Sequence, residues 1–238
     1  MAEPHKEWTV LPHGTLETLE DSILTVTGTA NMPIGAFERR MTIVRQSDGT
    51  LILYSPVALD EAQMAQIEAF GAPAFLIIPG SHHRLDASTF KDRYPAAKVI
   101  AADGAAEDVE EVVPVEETSP AFSDSAVQFV VVPGTSRNEA ALLVTAGGGV
   151  TLIVNDIIAN LHHMSGFGGW IAKLFGFAGD KPQIPVPEKM SIIDDKKALA
   201  SQFRQWADLP LKRIVVSHGE PVTERPGDVL REIAATLD

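Results

Sequence analysis

Apolar residues along this chain come in short bursts, and the spacing inside each burst separates strands from helices. Runs at 23–27, 39–44 and 51–54 are rich in β-branched and aliphatic residues. Between the last two, Ser47-Asp48-Gly49 supplies a turn in which glycine can take a positive φ, so a β-hairpin is predicted. Behind Asp60, Met64, Ile67 and Phe70 recur at helical spacing until Gly71 and Pro73, which predicts an amphipathic helix over 61–70 with an aspartate cap. The run 74–78 is wholly apolar, as in strands covered on both faces, and stops at Pro79-Gly80. A helix over 85–94 and a strand over 98–101 follow, and the acidic stretch 107–117 reads as solvated surface.

The second half repeats the style. Strands at 127–132, 140–145 and 150–154 are joined by Pro133-Gly134 and by the glycines at 147–149, with Asn155-Asp156 ending the third. The region 157–177 is unusual, carrying His162-His163, Gly166, Gly168-Gly169 and then Trp170, Ile171, Leu174, Phe175 and Phe177. Core packing is its ordinary reading; a lid, a homodimer interface or a membrane-touching patch are the functional ones. Its glycines follow no strand, so they are not evidence for a dinucleotide cofactor. A helix over 194–206, a buried strand over 213–216 ending at Ser217-His218-Gly219, and a helix over 226–237 opened by Pro226 complete the chain. No short-period repeat is evident. Two halves, each of strands followed by helices, predict one α/β domain over 1–238, with two sheets packed together and helices outside in four layers.

Composition narrows the chemistry. At 238 residues and 45% hydrophobic content the chain can bury a substantial core. No apolar run approaches the roughly 20 residues of a spanning helix, and residues 1–10 are too polar for a signal peptide, so a soluble, cytoplasmic protein without a membrane span is expected. With Cys 0, any metal must sit on His, Asp or Glu. Lys+Arg 19 against Asp+Glu 32 gives a net charge of -13 with no basic cluster, which argues against nucleic acid and leaves small-molecule substrates open.

Of the 7 histidines, His5 and His13 lie in a polar N-terminal segment and are expected to face solvent. The others matter more for their positions. His82 and His83 follow the strand at 74–78, Asp156 follows 150–154, and His218 follows 213–216. Each alone reads as a turn residue. Together they place natural ligands for zinc, iron or manganese at three predicted strand ends, which can bring side chains together from distant points in the sequence. Ser55, in Ser55-Pro56-Val57, has no Gly-x-Ser-x-Gly surroundings and reads as a rigid turn.

These segments resemble the metallo-β-lactamase superfamily, in which His-x-His-x-Asp-His, Pro-Gly-His, Gly-Asp and Gly-His-Gly segments hold one or two metals that activate water. The order matches from about Leu24 to the C-terminus. Arg40-Met41-Thr42-Ile43-Val44-Arg45, Asp48-Gly49, Ser55-Pro56-Val57 and His82-His83 are most similar to an uncharacterised family of unknown function with that fold. The resemblance implies an αββα sandwich of two mixed sheets packed face to face. It matches His218 to the terminal histidine and Asp156 to the aspartate, with Asn155 replacing the usual glycine.

Two segments depart from the pattern. Pro79-Gly80-Ser81-His82-His83-Arg84-Leu85-Asp86 lacks the full histidine motif: one register puts His82 at its second histidine, the other puts His82 at its Asp and His83 at its last His. Thr135 stands where a histidine should follow Pro133-Gly134. The expected ligands are thus His82, His83 or both, with Asp156 and His218, enough for one zinc, iron or manganese, or for none. Asp156 and His218 are the expected catalytic residues, and Ser55, Thr135 and His163 the expected substrate contacts. His162 and His163 could also serve as replacement ligands, although neighbours on a helix point about 100° apart. The expected activity is hydrolysis of a small ester, lactone, thioester or phosphodiester. The alternative is an inactive member of the fold that binds a small molecule or a protein.

Overall fold

A long hairpin opens the first unit. β1 (Glu17–Glu20) lies on its outer edge, and β2 (Ile23–Met32) pairs antiparallel with β3 (Gly35–Arg45) along its whole length, from Ile23 opposite Val44 to Met32 opposite Gly35. Both strands outrun their apolar stretches, because the ladder is made by backbone groups and continues through Gly28, Thr29 and Ala30. Gly49, at φ 84°, turns β3 into β4 (Thr50–Tyr54), as expected.

Crossovers through helices then lay the next strands parallel. α1 (Glu61–Phe70) begins at Asp60, whose carboxylate accepts from the Gln63 N–H at 2.9 Å, and leads to β5 (Ala72–Ile78). α2 (Ala87–Arg93) leads to β6 (Lys98–Ala101), and α3 (Ala106–Glu110) follows. The six strands stand in sequence order in one mixed sheet.

The computed structural model describes residues 3–32, 35–161, 179 and 181–238, and the chain divides into two units, 1–127 and 128–238. In the second, β7 (Val127–Val131), β8 (Ala140–Ala146), β9 (Gly149–Asn160) and β10 (Leu211–Gly219) form a four-stranded sheet in the order β10-β9-β8-β7. β8 runs antiparallel to β9, and β10 parallel to it. The helices are α4 (Val186–Ser191), α5 (Lys196–Ala207) and α6 (Pro226–Ala235). Asp195 caps α5 by accepting from the N–H groups of Lys197 and Ala198, both at 3.0 Å. Leu199, Phe203 and Trp206 of α5 and Leu230 and Ile233 of α6 share one core with Leu152, Val154, Ile214 and Val216. Every residue of β9 is buried, as a central strand covered on both faces should be. Among the described residues, no helix is long and apolar enough to cross a membrane.

The acidic stretch 107–117 is only partly solvated surface. Val109 and Val113 are buried, and Glu116 ties two elements together by accepting from Lys91 Nζ at 2.6 Å and from the Val99 N–H at 2.5 Å. Burial alone would raise the Glu116 carboxyl; these two donors outweigh it and hold it below the usual carboxylate range. A carboxyl with a lower pKa in the folded than in the unfolded chain stabilises above the unfolded value, and loses that contribution as pH falls through the folded one. Glu116→Gln is therefore expected to lower Tm at neutral pH, with the gap to wild type closing in acid; thermal melts across pH check this.

Candidate metal centre

In the second unit, the parallel pairing of β9 and β10 sets their C-terminal ends side by side. Val216 stands opposite Val154, but His218 stands opposite Ala159, so residues 155–158 bulge out of the ladder where β10 offers only Ser217. Asp156 lies in this bulge, and its Oδ1 is 3.0 Å from His218 Nε2, with the two side chains 5% and 7% exposed. The reading that ended a strand at Val154 thus stops short: β9 resumes after the bulge and runs to Asn160.

Two devices hold the pair. Glu139, buried just before β8, accepts from the Asp156 N–H at 3.1 Å and from Asn155 Nδ2 at 3.2 Å. Gly219, at φ 103°, lets the chain pass where an added Cβ would stand 2.1 Å from the Asn160 carbonyl oxygen. That carbonyl accepts from the Glu220 N–H at 3.1 Å, and Asn160 Nδ2 donates back to the Glu220 carbonyl at 2.7 Å. Thr135 is fully buried and closes its own turn, its hydroxyl donating to the Val132 carbonyl at 2.7 Å.

In the first unit, β4 and β5 are also parallel, with Tyr54 opposite Ile77, so the residues that follow them are neighbours. The Ser55 N–H donates to the Ile77 carbonyl at 2.9 Å, and its backbone is left-handed at φ 55°, a strained conformation for serine. Its buried Oγ lies 2.9 Å from His83 Nδ1. His83 is buried; His82 beside it is exposed. His162 and His163, with the apolar stretch 170–177, lie outside the described residues.

The N-terminal histidines are not the solvated side chains expected. His5 Nδ1 is 2.7 Å from Oδ1 of Asp86, a fully buried carboxylate that is also bonded by the Arg39 guanidinium and by the Ala58 N–H. The His5 backbone is pinned too, its N–H donating to the Leu85 carbonyl and its carbonyl accepting from Ser88 Oγ. His13 donates from Nδ1 to the Gly14 carbonyl and accepts from the Asp60 N–H at Nε2. A polar segment faces inward here because the folded chain supplies it with buried partners. The available clue was Arg39 and Arg40, two charges in an otherwise apolar run, since a buried arginine requires an acid.

The donor chemistry of the second-unit pair fits a divalent cation: one imidazole nitrogen, one carboxylate oxygen, and the Glu139 carboxylate adding negative charge behind Asp156. Among the described residues, Asn155 Oδ1 and Ser217 Oγ nearby are buried without a hydrogen-bond partner.

Solved structures share this chain trace. The DIM-1 metallo-β-lactamase exposed to ceftazidime matches with a TM-score of 0.66 at 11% identity, covering 97% of this chain and 100% of that one. The chain has the metallo-β-lactamase fold. FIM-1 from Pseudomonas aeruginosa in its mono-zinc form matches with a TM-score of 0.62 at 15% identity, over 95% and 96% of the two chains. The metallo-β-lactamase from Hirschia baltica matches with a TM-score of 0.62 at 13% identity, over 94% and 98%. No protein-family model matches the sequence. No curated protein matches it either. The metallo-β-lactamase fold expected from the strand and site order is therefore found, at identities that establish fold alone.

Two substitutions probe this framework. Gly219→Ala forces a side chain into the left-handed region against the Asn160 carbonyl and is expected to cost about 1–3 kcal/mol, measured by urea unfolding. Asp86→Ala strands a buried Arg39 and is expected to cost about 3–5 kcal/mol. His5→Ala should cost clearly less, because it leaves the Asp86–Arg39 pair intact.

Proposed function

We propose that this protein is a metal-dependent hydrolase with a single metal held by His218, Asp156 and His83. The observation that carries the reading is the buried His218–Asp156 contact at 3.0 Å, set at the ends of two parallel strands by a bulge. In open α/β sheets, the carboxyl ends of strands are where ligands gather. Two further features support it. Ser55 Oγ beside His83 Nδ1 is the outer partner expected of a ligating histidine, which donates one ring N–H and keeps the lone pair of the other nitrogen for a metal. Burial favours His83 over the exposed His82. The mono-zinc form of FIM-1 is a precedent for one zinc on this fold, and zinc is the metal proposed.

A bound metal would supply Lewis acidity and lower the pKa of its water toward neutrality. The chain's own residues do the rest: Asp156 orients the attacking water and takes up its proton, and His218 and His83 keep their imidazoles turned to the site. The proposed substrates are small esters, lactones, thioesters or phosphodiesters, whose carbonyl or phosphoryl centres accept water. One observation favours a non-catalytic binding module instead. Thr135, standing where the superfamily has a histidine, is fully buried with its hydroxyl bound within its turn.

Metal analysis by mass spectrometry of untagged protein separates the two. Near-stoichiometric zinc, lost in His218→Ala and His83→Ala but kept in His82→Ala, with ester hydrolysis abolished by a chelator, is the expected result. Substoichiometric metal that none of these variants changes would sink the hydrolase reading.

A further inference from the structure

Glu139 is a buried carboxylate, 1% exposed, that belongs to no ligand set considered above. Its Oε2 accepts from the Asp156 N–H at 3.1 Å and its Oε1 from Asn155 Nδ2 at 3.2 Å. The two donors belong to consecutive residues, at the point where β9 falls out of step with β10. A bulge takes backbone groups out of the ladder, and a buried N–H left there must find another acceptor. A carboxylate is a strong one, and a single carboxylate answering both residues holds the Asn155 side chain and the peptide that joins Asn155 to Asp156.

We propose that Glu139 is a positioning residue: by anchoring Asn155 and the Asp156 peptide it fixes the bulge so that the Asp156 carboxylate meets His218, and thereby raises the affinity of that pair for a divalent cation. The affinity half of the proposal rests on the metal reading above; the anchoring half does not. Glutamine has nearly the same shape, but in the same orientation it turns an NH₂ toward one of the two donors, where the carboxylate presents an accepting oxygen to each, so one of the two bonds is lost.

The experiment compares wild type with Glu139→Gln, using zinc alone as the probe. Zinc Kd is measured by chelator competition, and hydrogen exchange of the Asp156 amide is followed in metal-free protein. Glu139→Gln is expected to weaken zinc by about 10–100-fold and to speed exchange at Asp156. Leu230→Ala, a core truncation in the same unit, should lower stability and leave Kd unchanged, which separates positioning from general destabilisation. Asn155→Ala removes one bond from the donor side and is expected to weaken zinc by a smaller factor, which keeps the test open where Glu139→Gln does not fold. Wild-type Kd and wild-type Asp156 exchange in a folded Glu139→Gln would overturn the proposal. Wild-type protein that takes up no zinc would overturn the metal reading and the affinity half together, with the anchoring half still decided by exchange at Asp156.

Discussion

Parallel pairing constrains this molecule more than any other interaction. Two strands that run the same way end at the same edge of their sheet, so whatever follows them is brought together however far apart it lies in sequence. In the first unit this sets Ser55 against the end of β5; in the second it sets Asp156 against His218. Helical crossovers make such pairing possible, and their own packing makes it stable: α5 and α6 cover the strands that carry the second pair. The fold that brings these strand ends together therefore draws its stability from hydrophobic contacts some distance from them.

Each site is also held by polar groups that burial has made obligatory. Asp86 answers Arg39, His5 and Ala58, and Glu139 answers Asn155 and Asp156. Neither arrangement is a surface ion pair of small consequence. Removing the Asp86 or the Glu139 carboxylate leaves its buried donors without solvent to replace it, so the polar networks confer local rigidity as well as stability.

The fold was largely legible in the sequence because its signals are local: Gly49 for the hairpin, Asp60 before α1, Pro226 at the start of α6, and apolar runs of strand length between them. His218 and Asp156 were legible for a related reason, being the polar residues that interrupt buried strands at their ends. What escaped was whatever depends on a partner far along the chain. Asn155 and Asp156 look like the end of a strand until Glu139, 16 and 17 positions earlier and just before β8, is seen to accept from both. His5 looks solvated until Asp86, 81 residues away, is seen beneath it. Nothing in the spacing of His82 and His83 shows which is buried; the turn from Gly80 decides it, with the His83 N–H donating to the Gly80 carbonyl.

The buried Asp86–Arg39 pair also bears on ionic strength. Ions in solution screen charges they can surround, so the exposed contacts of Arg204 with Asp238 and of Lys181 with Glu232 weaken as salt is added. Arg39 and Asp86 are shielded from those ions by the protein itself. The attraction between Arg39 and Asp86, the carboxylate against which His5 rests, is thus insulated from its medium and far less sensitive to added salt than the surface contacts.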